Sequence, residues 1–159
     1  MEPSHLLAAV RVVKDNERVA LEIYAHAAEK LDTLGKKLFE QLSEFEKFHY
    51  ELLTALEKSL VEKGEFIEYE GKDFILPTKI ELKFTEEPGQ ISIVQIVSEA
   101  MKLEKKAQED YADIANKLTD PKGQKMFLKL SDDEHKHFLI LEDAYWSLNQ
   151  TGVWKYPRK

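Results

Sequence analysis

Apolar residues recur at helical spacing from about Leu6 to Leu31, through Val10, Val13, Ala20, Tyr24 and Ala28. They do so again from about Leu38 to Leu60, through Leu42, Phe45, Leu53 and Leu56. Steps of three and four residues place side chains on one helical face, so both stretches predict long amphipathic helices. Asp32-Thr33-Leu34-Gly35 offers capping and turn chemistry between them. A connection that short makes the two helices antiparallel neighbours.

After Gly64 the pattern changes to Phe66, Ile67, Tyr69, Phe74, Ile75, Leu76, Ile80, Leu82 and Phe84, interrupted by Gly71, Pro77, Pro88 and Gly89. Long loops without structure are uncommon in compact domains, so this apolar stretch predicts an extended crossover packed on the bundle, with short strand pieces. Helical spacing returns at about Ile91 and runs to Leu118 through Val94, Val97, Met101, Ala107, Tyr111 and Ile114. Asp120-Pro121 then reads as an N-cap followed by proline at the first helical position. The last helix is expected to reach about Asn149 and stop at Thr151-Gly152, with Trp154 and Tyr156 folding back or meeting a partner. The prediction is one bundle domain over residues 1–152, with helices at about 4–31, 34–63, 90–118 and 121–149, a crossover over 64–89 and a tail over 153–159.

The two halves repeat one another. Glu17, Ala20, Tyr24 and Ala25 match Glu104, Ala107, Tyr111 and Ala112 at an offset of 87 (111 − 24). Gly35, Lys37, Phe39, Leu42-Ser43, Glu46 and His49 match Gly123, Lys125, Phe127, Leu130-Ser131, Glu134 and His137 at an offset of 88 (137 − 49). The chain is two copies of one helical hairpin, and the one-residue slip falls at the turn.

Four glutamates stand where apolar residues belong. Glu17 shares a face with Val10, Val13, Ala20 and Tyr24, and Glu104 with Val97, Met101, Ala107 and Tyr111. Glu46 aligns with Leu42 and Leu53, and Glu134 with Leu130 and Leu141. An uncompensated buried carboxylate costs several kcal/mol or becomes protonated, so four together require cations. At about 1.5 Å per residue, Glu17 and Glu46 lie at one depth from their turn, and Glu104 and Glu134 at one depth from theirs. His49 and His137 follow their glutamates by three residues, on the same face within a turn.

Composition narrows the chemistry. With no cysteine among 159 residues, disulfides, thiolate zinc sites and cysteine-ligated clusters are excluded, so any metal must be held by Glu, Asp and His. The net charge of −7 provides no basic stripe for nucleic acid. No apolar run is long enough to span a membrane and no leader is evident, which predicts a cytoplasmic protein that binds neither. Four carboxylates and two imidazoles suit a pair of ions such as iron(II) or manganese(II), whose four positive charges match four glutamates.

One Glu from each of two helices plus Glu-x-x-His from each of the other two is the ligand pattern of ferritin-like di-metal proteins. The chain resembles the rubrerythrin-like branch of the ferritin-like di-iron carboxylate superfamily, over both hairpins and including the tyrosine after each first-helix ligand. The resemblance implies an all-α, ferritin-like antiparallel four-helix bundle made of two repeated hairpins with a long crossover between helices 2 and 3. It implies a di-iron centre, with manganese or a mixed pair as alternatives. Its metal ligands and catalytic groups would be Glu17, Glu46, His49, Glu104, Glu134 and His137, supported by Tyr24 and Tyr111 reaching carboxylates on neighbouring helices. The implied activity is reduction of hydrogen peroxide, or dioxygen, with electrons from an external donor such as a rubredoxin-like protein, in a homodimer. Iron(II) handling of ferroxidase type without sustained turnover, a di-manganese catalase-like enzyme and a metal-free interaction module are the alternatives. Rubrerythrins carry a further glutamate one turn before the third-helix ligand; here that place is Met101, which makes the site more symmetric, as in bacterioferritins. The absence of cysteine leaves no rubredoxin-type iron module, and the stretch after Gly152 is too short for the fifth helix of cage-forming ferritins. His5, His26 and His135, with Glu22, Glu44, Glu51, Glu99 and Glu109, read as solvated positions, His135 alternatively as a support to the site.

Overall fold

A computed structural model describes residues 1–83 and 92–157. Its four helices are α1 (Pro3–Glu29), α2 (Thr33–Lys63), α3 (Ile93–Lys117) and α4 (Pro121–Thr151), with two short strands, β1 (Ile80–Lys83) and β2 (Val153–Tyr156). The chain is an all-α four-helix bundle carrying a two-stranded sheet. Helix α1 ends two residues before the expected Leu31, and α4 continues two residues past Asn149. Phe84, Pro88, Gly89 and the expected helix start near Ile91 lie outside the described residues.

The duplication extends to the helix ends. Asp32 caps α2 by accepting from the Gly35 amide at 2.9 Å, and Asp120, 88 positions later (120 − 32), caps α4 by accepting from the Lys122 amide at 2.8 Å. Each cap satisfies an amide that the first helical turn leaves without a partner. Both helices end on glycines, also 88 apart (152 − 64), in the left-handed region, with φ of 68° at Gly64 and 78° at Gly152. Only glycine enters that region without steric cost.

Each helix packs along its hairpin partner, and α1 also lies against α3. These two are antiparallel: Tyr24, late in α1, meets Ala100, early in α3, and the Met1 ammonium donates to the Lys117 carbonyl at the other end. Helix α2 therefore runs parallel to α3, and the chain between them must return along the length of the bundle. It starts with Phe66 pressed on Gly123 at the α3–α4 turn and reaches Leu82 on Gly35 at the α1–α2 turn. A Cβ on Gly123 would fall 2.7 Å from the Phe66 ring, so the crossover can seat this closely only on glycine.

The crossover ends in strand β1, and the C-terminal segment folds back to pair with it antiparallel, Ile80 opposite Tyr156 and Leu82 opposite Trp154. Trp154 is buried, and its indole N–H donates to Asp143 at 2.9 Å. The core forms two apolar clusters. One gathers Phe39, Leu42 and Leu141 with Leu76, Leu82 and Trp154; the other gathers Leu53, Phe127 and Leu130 with Phe66 and Tyr69. Among the described residues, no helix is long and apolar enough to cross a membrane.

Candidate metal centre

Between the two apolar clusters lies a layer of buried polar side chains. Glu17 comes from α1, Glu46 and His49 from α2, Glu104 from α3, and Glu134 and His137 from α4. None exposes more than 2% of its surface. All six residues selected by stripe position and repeat are thus brought together. Each helix supplies its residues at mid-length, with apolar turns on either side.

Nδ1 of His49 lies 2.7 Å from Glu134 Oε1 and 3.7 Å from both Glu17 and Glu46. Nδ1 of His137 lies 3.1 Å from Glu46, 3.4 Å from Glu104 and 3.8 Å from Glu134. These atoms converge without the alignment of hydrogen bonds. Both Nδ1 atoms and one oxygen on each of the four glutamates are buried with no hydrogen-bonding partner among the described residues. Stranded donor and acceptor atoms at such density are destabilising unless a cation gathers them. They fall into two overlapping sets, Glu17, Glu46, His49 and Glu134, and Glu46, Glu104, Glu134 and His137, whose ligand atoms lie within 4.8 Å of one another. Glu46 and Glu134 belong to both sets and could serve two ions together. The donor set fits a pair of divalent metals.

Without metal, protons must offset the charge. Burial, reinforced by the facing Glu46, raises the Glu17 carboxyl well above 4.5, and burial with Glu104 and Glu46 does the same to Glu134. Burial would raise Glu46 too, but its neighbours Glu17, His137 and His49 hold it well below the usual carboxylate value. Burial opposes protonation of the histidines, yet the carboxylates around them outweigh it: Asp133 and Glu134 raise His49, and Glu104 and Glu134 raise His137.

Tyr24 donates to Glu104 Oε1 at 2.9 Å across to α3, and Tyr111 donates to Glu17 back on α1. The two bonds are images of one another under the repeat. Burial and the adjacent carboxylates raise both phenols, which keeps them protonated donors. Ser43 and Ser131 form another such pair, each bonding a carbonyl of its hairpin partner, Leu21 at 2.7 Å and Gln108 at 2.9 Å. His5 and His26 are exposed, as are Glu22, Glu44, Glu51, Glu99 and Glu109; His135 is partly buried, with its ring 3.3 Å from the Gln108 side chain.

Asp133 is the buried neighbour of the cluster that sequence reasoning missed. Fully buried one position before Glu134, it lies 2.9 Å from His49 Nε2, accepts from the Tyr69 phenol and from the Lys72 amide at 3.1 Å, and faces the centre from behind. Burial and Asp133 push the Tyr69 phenol up, so it remains a donor. Two signals were present: Asp133 stands four residues before His137 on the same buried stripe, and at the equivalent position of the first repeat (133 − 88 = 45) there is Phe45.

The two sides of the centre differ in access. On the histidine side the crossover lies directly over it, with Tyr69 against Asp133, and Phe74 against the His137 ring at 4.5 Å between centroids. On the opposite side, between α1 and α3, a cavity of about 100 Å³ reaches Glu17, Glu46, Glu104 and Glu134 past Ala20 and Ala107. A space of that size holds a few water-sized molecules.

A family model described as rubrerythrin matches residues 14–145. No curated protein and no solved structure matches the chain.

Proposed function

The chain belongs to the rubrerythrin family, and from that premise we propose that it is a non-haem di-iron oxidoreductase that reduces hydrogen peroxide, or dioxygen, with electrons from an external donor. The observation that carries this reading is the pair of overlapping donor sets sharing Glu46 and Glu134. Glu17 and His49 would hold one metal and Glu104 and His137 the other, with the shared Glu46 and Glu134 available to both. Two adjacent iron(II) ions, when bound, supply the two electrons that cleave an O–O bond.

The protein's part is positioning and exclusion. Tyr111 and Tyr24 fix the rotamers of the terminal carboxylates Glu17 and Glu104 through hydrogen bonds. The small side chains Ala20 and Ala107 leave the approach between α1 and α3 open to a molecule of peroxide size. On the histidine side the crossover excludes solvent, so bulky reductants are kept from the ligands and electrons enter through the protein.

Loading with iron(II) under anaerobic conditions, followed by peroxide, tests the reading through the ultraviolet band of the oxidised iron pair. Oxidation is expected to be fast in the native chain and lost in Glu46→Ala and Glu134→Ala. If the native chain is no faster than these variants, the redox assignment fails.

Met101 favours a second reading, an iron(II)-handling protein that oxidises its load once. It occupies the position of the extra rubrerythrin glutamate and packs, partly buried, against the apolar cluster around Phe39. Re-reduction discriminates: an oxidoreductase cycles with a rubredoxin-like donor, whereas an iron-handling protein stops after one oxidation. Metal analysis of protein purified without added metal separates both from a di-manganese enzyme.

A further inference from the structure

The repeat makes the ligands of the two metal positions equivalent, but it does not make their surroundings equivalent. Behind His49, Nε2 meets the Asp133 carboxylate at 2.9 Å, and Asp133 is itself held by Tyr69 and the Lys72 amide from the crossover. Behind His137, Nε2 has no hydrogen-bonding partner among the described residues. Its ring is packed between Phe45, at 4.3 Å and 83° between ring planes, and Phe74, at 4.5 Å. Phe45 occupies the position that Asp133 holds in the other repeat (133 − 45 = 88).

For either histidine to ligate through Nδ1, its proton must sit on Nε2. At His49 an anionic acceptor fixes that tautomer and makes the imidazole more electron-rich. At His137 two apolar rings do neither, and the N–H is buried without an acceptor. Partners of this kind behind a ligating histidine change metal affinity about 10- to 100-fold. We infer that the two metal positions are inequivalent: the Glu17–His49 position, backed by the positioning residue Asp133, binds its ion first and more tightly, and the Glu104–His137 position fills second. The inference rests on the proposal that the centre holds two metals.

Anaerobic titration of metal-free protein with cobalt(II) chloride, followed by calorimetry and by the visible cobalt bands, tests it without any turnover. Two steps of one equivalent each are expected, separated about 10- to 100-fold in affinity. His49→Ala should abolish the tighter step, and His137→Ala should abolish the weaker while preserving the tighter. Asp133→Asn keeps an acceptor of the same shape without its charge; it should weaken the first step alone and shift the first-equivalent cobalt spectrum, leaving the second-equivalent spectrum unchanged. Tyr69→Phe, which leaves the carboxylate in place, should weaken the first step less. Should Asp133→Asn fail to fold, the two histidine variants still decide the order of filling. Equal affinities in the native chain, a tighter step that survives loss of His49 but not of His137, or equal weakening of both steps by Asp133→Asn would overturn the inference while leaving a two-metal centre intact. Failure of the native chain to bind cobalt at all would overturn both.

Discussion

Stripping the metal should make the stability of this protein fall as pH rises, opposite to the trend expected of a protein stabilised by ionised, paired carboxylates. In the unfolded chain Glu17 and Glu134 lose their protons near 4.5, whereas in the folded, metal-free protein burial and the facing carboxylates retain them to well above that value. Their stabilising contribution is complete below pH 4.5 and is lost as pH climbs through the folded values. Each proton held by the folded state alone lowers stability by about 1.4 kcal/mol per pH unit. His49 and His137 act in the same direction, because their folded values lie above 6.5 and the unfolded chain releases those protons first. Glu46 is held below 4.5, so its contribution is lost only on acidification and does not affect the neutral range. Each pH unit over which the folded state alone retains such a proton removes a sizeable share of the roughly 5–15 kcal/mol that stabilises a domain. The assay is urea unfolding in excess chelator at pH 6, 7 and 8. The midpoint should fall steadily, and Glu134→Gln, a neutral side chain of the same shape, should flatten the slope. With metal present the trend should vanish or reverse, because binding displaces the protons. A chelated protein as stable at pH 8 as at pH 6 would refute the account of the buried charges.

Three further outcomes follow from the geometry. Ala107→Leu should narrow the cavity between α1 and α3 and slow oxidation of the iron-loaded protein by peroxide, leaving the cobalt(II) stoichiometry from calorimetry unchanged. Gly123→Ala should destabilise by about 1–3 kcal/mol because its methyl would meet the Phe66 ring. In a Phe66→Ala background the same change should instead stabilise by up to about 1 kcal/mol through helix propensity, a reversal of sign read from urea midpoints. Trp154→Ala, which empties a buried site and frees Asp143 from the indole, should cost about 3–5 kcal/mol in urea unfolding.

The helices and the clustering of six buried polar residues were legible because both signals repeat along the chain: apolar residues at helical spacing, and the same chemistry returning 87 or 88 positions later. Asp133 was not, although the stripe argument that singled out Glu134 applies to it equally. It stands in the charged run Ser131-Asp132-Asp133-Glu134, and its partners Tyr69 and Lys72 lie on a crossover whose path follows no period. The mismatch of Asp133 with Phe45, inside an otherwise faithful repeat, was the available clue. The pairing of β1 with β2 was equally hidden. Four residues of strand carry almost no pattern, and Ile80 and Tyr156 are 76 positions apart (156 − 80), so only tertiary packing brings them together.

The crossover has a consequence rooted in topology. Two identical hairpins meeting face to face would form a figure with a two-fold axis, and no residue on one side of that axis could differ in environment from its image. Joining them into one chain requires a single covalent tether, and a single tether has no image. Because this one lies over the centre and gives a phenol and an amide to Asp133 on one side and a benzene ring to His137 on the other, the symmetry is broken at the metal positions themselves. Once a duplicated hairpin is fused and its tether runs over the buried cluster, divergence of its two donor sets is built into the connectivity.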